Sequence, residues 1–182
     1  YKGVSSLKLI LSPLSWLYSS IMRVRNLSYD RELIASQEFK VPIISVGNIT
    51  VGGTGKTPVI DSLIYWCKSQ GIKAGVVSRG YKGHFQGVQR VDLTSENPAY
   101  YYGDEPAMLA HNHPNIPVYV CSQRVKAVET LISENYIDII FADDAFQHRK
   151  LSRYLDIVIL DVMEGINQYQ VIPKGRARES IE

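Results

Sequence analysis

Apolar residues in this chain fall into short β-branched blocks, and segments with helical spacing separate them. Val41 to Val46 read VPIISV, Lys73 to Ser78 read KAGVVS, Ile116 to Cys121 read IPVYVC and Ile137 to Ala142 read IDIIFA. Asp156 to Asp161 repeat the pattern as DIVILD. Runs of this length and composition predict buried strands. Between the first two blocks, Val59 to Lys68 place Ile60, Leu63, Ile64 and Cys67 on one face of a helix. Asp104 to Ala110 open a second helix and Gln123 to Glu134 form a third. Strands alternating with helices predict an α/β fold, with a mainly parallel sheet covered by helices on both faces. Residues 82–103, with Gly83, Gly87, Pro98 and three consecutive tyrosines, read as loop-rich.

The N-terminal forty residues break this pattern. Val4 to Met22 are rich in Leu, Ile, Trp and Ser, but Lys8 and Pro13 interrupt the run, which makes it a poor spanning helix. No small-residue cleavage site follows a clean apolar stretch, so a secretory signal is not expected. Lys2, Lys8, Arg23 and Arg25 are basic, and no acid precedes Asp30. An apolar segment with Trp16 and Tyr18 flanked by cations suits an amphipathic helix at an anionic membrane surface. A helix packed on the core with Trp16 buried fits the same residues. The expected division is a membrane-associating helical segment over 1–40 and a nucleotide-binding core over 41–182.

Bulk composition narrows the function classes. The 182 residues are enough for one α/β domain, and 45% hydrophobic with 21% charged is ordinary for a globular chain. A net charge of +2 without a Lys/Arg tract gives no reason to expect a nucleic acid. Cys67 and Cys121 lie far apart in apolar stretches, so neither a disulfide framework nor a metal pair is expected. The chain opens on Tyr1, and Arg178 to Glu182 read as mid-protein sequence, so a longer parent is expected.

The sharpest chemical signal follows the first strand. Thr50-Val51-Gly52-Gly53-Thr54-Gly55-Lys56-Thr57-Pro58 lies between that strand and the first core helix, the context a phosphate-binding P-loop requires. Gly52, Gly53 and Gly55 let the backbone turn its N–H groups toward phosphate oxygens, and the helix N-terminus adds partial positive charge. Lys56 is placed to reach the β- and γ-phosphates, and the Thr57 hydroxyl to ligate Mg²⁺. Pro58 fits the first helical turn, where a missing N–H costs little. Thr50 stands where the usual pattern begins with glycine. The expected ligands are therefore ATP, held by residues 50–57, and Mg²⁺.

Asp143 and Asp144 close the IDIIFA strand. Carboxylates at the carboxyl end of a parallel strand face the crevice that the P-loop lines. With Thr57, water and phosphate, one of them completes an oxygen shell for Mg²⁺. Asp161 is a weaker candidate of the same kind. Arg79, Arg124, Arg149 and Arg178 are candidates to hold a phosphate or to offset transferred charge.

Several stretches together resemble the tetraacyldisaccharide 4′-kinase (lipid A 4′-kinase) family. They are Ser45 to Asn48 running into Thr50 to Pro58, Ser78-Arg79-Gly80-Tyr81, Gly103-Asp104-Glu105-Pro106, Asp143-Asp144-Ala145-Phe146-Gln147-His148 and Leu155 to Val158. The resemblance covers nearly the whole chain. It implies a kinase at the cytoplasmic face of the bacterial inner membrane, moving the γ-phosphoryl of ATP to the 4′-hydroxyl of tetraacyldisaccharide 1-phosphate to give lipid IVA. No protein partner is inferred from the sequence. The resemblance also implies a smaller C-terminal domain, which supplies a histidine to pair with the catalytic aspartate. Three positions depart from the family: Ala145 stands for Gly, Tyr154 for Asp, and Arg176-Ala177 for Pro-Leu. None of the three is expected to touch the P-loop.

A sugar hydroxyl is a poor nucleophile, and a carboxylate within reach accepts its proton. The resemblance places that carboxylate at Asp104, which sits at a predicted loop-to-helix junction where a helix cap is the competing role. Glu105 is a further candidate for the metal shell. The resemblance raises Gln147 and His148 to site-lining status, with Arg79 and Arg178 as substrate contacts. A P-loop switch that hydrolyses nucleotide without a phosphoryl acceptor, of the partitioning or metal-insertion type, is the competing class; it needs no base at Asp104.

Overall fold

The computed structural model describes residues 3–50, 52, 55–161 and 169–179, with side chains from residue 11 onward. The chain divides into two compact units, one of residues 1–35, 48–54 and 159–182 and one of residues 36–47 and 55–158.

The larger unit is built on a six-stranded sheet: β1 (Ile43–Asn48), β2 (Ala74–Ser78), β3 (Gln89–Arg90), β4 (Val118–Val120), β5 (Ile139–Asp143) and β6 (Leu155–Ile159), in the order β3-β4-β2-β5-β1-β6. Strands β1, β5, β2 and β4 pair in parallel, and the two-residue β3 runs antiparallel to β4 at the edge. The mainly parallel sheet expected from the sequence is present, with an antiparallel pair at its β3 edge. Val76, Val77, Val118, Ile140 and Phe141 are fully buried, as strands covered on both faces must be. Each such side chain contributes about 2 kcal/mol relative to exposure.

Helices α2 (Lys56–Ser69), α3 (Pro98–Tyr102), α4 (Asp104–Asn112) and α5 (Arg124–Glu134) complete this unit. Helix α2 buries Ile60, Ile64 and Cys67, three of the four positions its spacing predicted, and Leu63 is half-buried. Helix α5 buries Ala127, Val128 and Leu131. It approaches β2 so closely that a Cβ on Gly75 would stand 2.9 Å from Leu131 Cδ1. The loop-rich reading of residues 82–103 missed α3. Asn97 caps it by accepting from Tyr100 N at 3.1 Å, and Pro98 occupies its first turn.

The register fixes where the chemistry gathers. Val46 pairs with Asp143 and Val77 with Ala142, so the carboxyl ends of β1, β2 and β5 lie side by side.

In the smaller unit, helix α1 (Gly3–Asp30) runs through Pro13 without a break. No helix among the described residues is long and apolar enough to cross a membrane. Leu14, Trp16, Leu17, Ile21 and Val24 are exposed along it, Trp16 at 73%, so the alternative with Trp16 buried is not the one adopted. Two hydroxyls of α1 bond to the 171–178 segment. Ser15 Oγ donates to Val171 O at 3.1 Å and accepts from Lys174 N at 3.0 Å, and Tyr18 Oη donates to Arg178 O at 3.2 Å.

Candidate active site

Lys56 and Thr57 open helix α2 and are buried at 7% and 6% exposure. Gly55 precedes them in the left-handed region at φ 80°, a conformation that costs glycine little. Lys56 Nζ lies 3.6 Å from Asp144 Oδ1. The P-loop lysine and the strand-end carboxylate Asp144 therefore meet. Gly47 permits the meeting from the β1 side, since a Cβ there would stand 2.7 Å from Phe146 Cβ in the loop that carries the aspartates.

The two aspartates differ in kind. Asp144 is partly exposed, adopts φ 47° and pairs with Lys56. Asp143 is buried; its Oδ2 accepts from Ser78 Oγ at 2.9 Å, and its Oδ1 has no hydrogen-bond partner among the described residues. Burial, then the Glu105 charge, pushes the Asp143 carboxyl up to about 6, with Asp144 adding to the rise; the Ser78 hydrogen bond and Lys56 oppose it. An ionised carboxylate with one bare buried oxygen is a binding position for a hard cation. Among the described residues no three His, Cys, Asp or Glu side chains could hold a metal by themselves. Water and phosphate oxygens would have to complete such a shell.

Arg124 is buried under the aspartates. Its Nη2 donates to Asp143 O and Asp144 O, each at 3.3 Å. Burial lowers its pKa to about 10, against the two aspartate charges that raise it, so it stays a cation at neutral pH. Its hydrogen bonds go to backbone carbonyls, which makes it a support for the aspartate loop.

Asp104 and Glu105 form the first turn of α4, after Gly103 at φ 94°. Gly103 is the N-cap, and Asp104 is the first residue inside the helix. It is exposed and, with Tyr81, Lys82, Glu105 and Pro106, lines a pocket of about 110 Å³. Glu105 is half-buried, and its charge acts on Asp143.

Gln147 and His148 follow the aspartates and are half-buried. Burial, then the Arg124, Arg153, Lys150 and Arg79 charges, lowers His148 to about 4. His148 is therefore neutral at pH 7 and serves a ligand only as a hydrogen-bonding group. Arg79 is exposed, and its charge is among those that act on His148.

The front of the P-loop belongs to the smaller unit. Thr50 bridges Ala177 in antiparallel fashion, and Arg178 N donates to Ile49 O at 2.6 Å. Asn48 Nδ2 donates to Gly52 O at 3.2 Å. Val51, Gly53 and Thr54, also expected at the nucleotide, lie outside the described residues. Two participants went unrecognised in the sequence. Ser78 stood in a quoted motif without a role, and Arg176, a departure set apart from the P-loop, is brought onto Gly52: a Cβ there would overlap Arg176 Nη2.

The family model for tetraacyldisaccharide-1-P 4′-kinase, LpxK, matches residues 7–182. The chain belongs to this family. LpxK relatives named tetraacyldisaccharide 4′-kinase include that of Bdellovibrio bacteriovorus, 42% identical over 170 residues, covering 93% of this chain and 50% of the relative. That of Chlorobium phaeobacteroides is 42% identical over 181 residues, covering 95% and 50%. The fold matches a crystal structure of the "apo" form of LpxK from Aquifex aeolicus in complex with ATP, with a TM-score of 0.84 and 33% identity over 95% of this chain and 54% of that one. The P-loop α/β reading therefore stands, and the chain spans about half the length of the LpxK relatives it matches.

Proposed function

We propose that this chain is the nucleotide-binding part of an ATP-dependent lipid kinase that phosphorylates the 4′-hydroxyl of tetraacyldisaccharide 1-phosphate to form lipid IVA. The observation that carries the proposal is the meeting of Lys56 with Asp144 at the end of β5, with Asp104 in the first turn of α4. ATP lies on residues 50–57, and Lys56 neutralises its β- and γ-phosphates.

Asp143, through its bare Oδ1, and the Thr57 hydroxyl would hold Mg²⁺, with Glu105 nearby as an outer carboxylate. The ion would supply charge neutralisation on the phosphates. Asp144 keeps Lys56 in place. Asp104 accepts the proton of the sugar hydroxyl as the oxygen attacks phosphorus. The cationic surroundings of His148, with Arg79, Gln147 and Arg178, line the path of an anionic lipid. Residues 1–40 form the membrane-associating segment and residues 41–182 the kinase core. The exposed apolar stripe of α1 would lie in the interface of the inner membrane, on its cytoplasmic face.

The discriminating experiment follows ATP consumption with and without the disaccharide acceptor. Turnover that requires acceptor and yields a phosphorylated lipid is expected. Equal turnover without acceptor would favour a hydrolytic switch instead.

A further inference from the structure

We infer that His113 is a positioning residue for phosphoryl transfer: with Asp61 and Lys68 it clasps α4 to α2, and so fixes where Asp104 stands relative to Lys56. The inference rests on the kinase reading above and gives a role to a histidine that no motif marked. All of these residues belong to the larger unit.

The clasp is a chain of polar contacts across two helices. His113 directly follows α4 and is buried. Its N–H donates to Leu109 O at 3.0 Å, so the closing turn of the helix carries the ring. Its Nδ1 lies 2.9 Å from Lys68 Nζ, and its Nε2 lies 3.0 Å from Asp61 Oδ1. A lysine ammonium offers only donors, so Nδ1 is the accepting nitrogen. Nε2 then carries the proton and donates to the carboxylate, and the two bonds together select one tautomer. Asn112 Nδ2 donates to the same Asp61 oxygen at 2.9 Å, so the end of α4 reaches that carboxylate twice.

Asp61 and Lys68 stand about two turns apart on α2, so they share a face, and a ring bridging them sets the place of α4 along that helix. Helix α2 begins at Lys56 and α4 at Asp104, which puts a residue of the proposed reaction at the start of each. The nine residues of α4 make a rod about 13 Å long. Leu109 and Ala110 bury its middle, and the clasp holds the end away from Asp104. A rod released at that end tilts about its middle, and a few degrees of tilt move Asp104 by about 1 Å. Misplacement of that size costs as much as about a hundredfold in rate. Nucleotide binding is spared, because α2 also packs on β2 and β5 and keeps Lys56 in place without the clasp.

The test compares wild-type protein with His113→Phe, His113→Gln and Lys68→Met. Each is measured for Mg²⁺-ATP affinity and for kcat with tetraacyldisaccharide 1-phosphate. The α2–α4 distance is read between spin labels on Ser62→Cys and Met108→Cys, both at exposed positions. Phenylalanine fills the space of the ring and breaks both bonds. His113→Phe should lower kcat at least about tenfold, leave ATP affinity within about twofold and widen the label distances. Glutamine offers one acceptor and one donor, so His113→Gln should restore most of kcat. Lys68→Met removes one bond from an exposed position and should give an intermediate kcat, which keeps the test open should the phenylalanine variant unfold. A wild-type kcat in His113→Phe or Lys68→Met, ATP affinity that falls in parallel with kcat, or a glutamine variant no better than phenylalanine would overturn the assignment. A wild-type protein that transfers no phosphate to the lipid defeats the kinase reading instead. The label distances then decide the clasp, and distances unchanged in His113→Phe would overturn it.

Discussion

At the scale of single residues, the site holds ionisable groups in costly places. Asp143 is the clearest. Its carboxyl titrates at about 6 in the fold, against an ordinary value of 3.8, so folded protein binds more protons than unfolded between those values. Its contribution to stability is therefore greatest at low pH and declines as pH rises through about 6. In metal-free protein, Asp143→Asn should raise the melting temperature at pH 7.5, with a gain on the order of 1–2 kcal/mol that shrinks by pH 5. The same variant should lose its response to Mg²⁺. A wild-type protein already as stable as the variant at pH 7.5 would contradict the buried, bare carboxylate.

His148 has the opposite sign. Its pKa is lowered from 6.5 to about 4, so the unfolded chain takes up the proton first. That contribution is full above about 6.5 and is lost as pH falls toward 4. His148→Gln should flatten the acid limb of the stability profile measured by denaturant titration between pH 7 and 4. An acid limb as steep in the variant as in wild type would remove His148 as its cause.

At the scale of elements, two joints position the chemistry. Gly103 links α3 to α4 at φ 94°, and a Cβ there would stand 2.7 Å from Tyr81 O. Gly103→Ala should cost about 2 kcal/mol or more, since both backbone conformation and close approach resist it. Because Asp104 follows directly, phosphoryl transfer should fall more than ATP binding does. Thermal unfolding and a comparison of binding with turnover would check this, and a variant with normal stability and turnover would refute it. The other element is α1. Leu17→Glu with Ile21→Glu places charge on an exposed stripe and should leave folding unchanged while reducing sedimentation with anionic vesicles. Unchanged sedimentation would mean that the stripe does not meet the membrane.

Periodicity located most elements because strands and helices alternate and bury β-branched residues. Helix α3 escaped it: five residues with three tyrosines carry no repeat, and only the Asn97-Pro98 start signal marks them. Strand β3 escaped for the same reason, being two exposed residues defined by pairing with β4. At the site, Gly55, Lys56, Thr57 and the aspartates were legible because their chemistry is local to a motif. Ser78 and Arg176 act on residues far away in sequence, and such roles exist only once the chain has folded. The separate parts of Asp143 and Asp144 were equally hidden, since adjacent aspartates look alike until one is buried.

At the scale of the whole molecule, the larger unit aligns the carboxyl ends of β1, β2 and β5, and with them Lys56, Asp143 and Asp144. The smaller unit binds α1, the front of the P-loop and the 170–179 turn into one body. The chain belongs to the LpxK family, and the purpose proposed for these parts is phosphoryl transfer to a lipid acceptor. The most direct measurement supplies ATP labelled on its γ-phosphate, with Mg²⁺ and tetraacyldisaccharide 1-phosphate, to the wild-type protein and to Lys56→Ala. Label should appear on the 4′-position of the lipid with wild type and fall by at least about a thousandfold with Lys56→Ala, because charge neutralisation on the transferred group is lost. Label transferred at the wild-type rate by Lys56→Ala, or labelled inorganic phosphate as the sole product of wild type, would contradict the account.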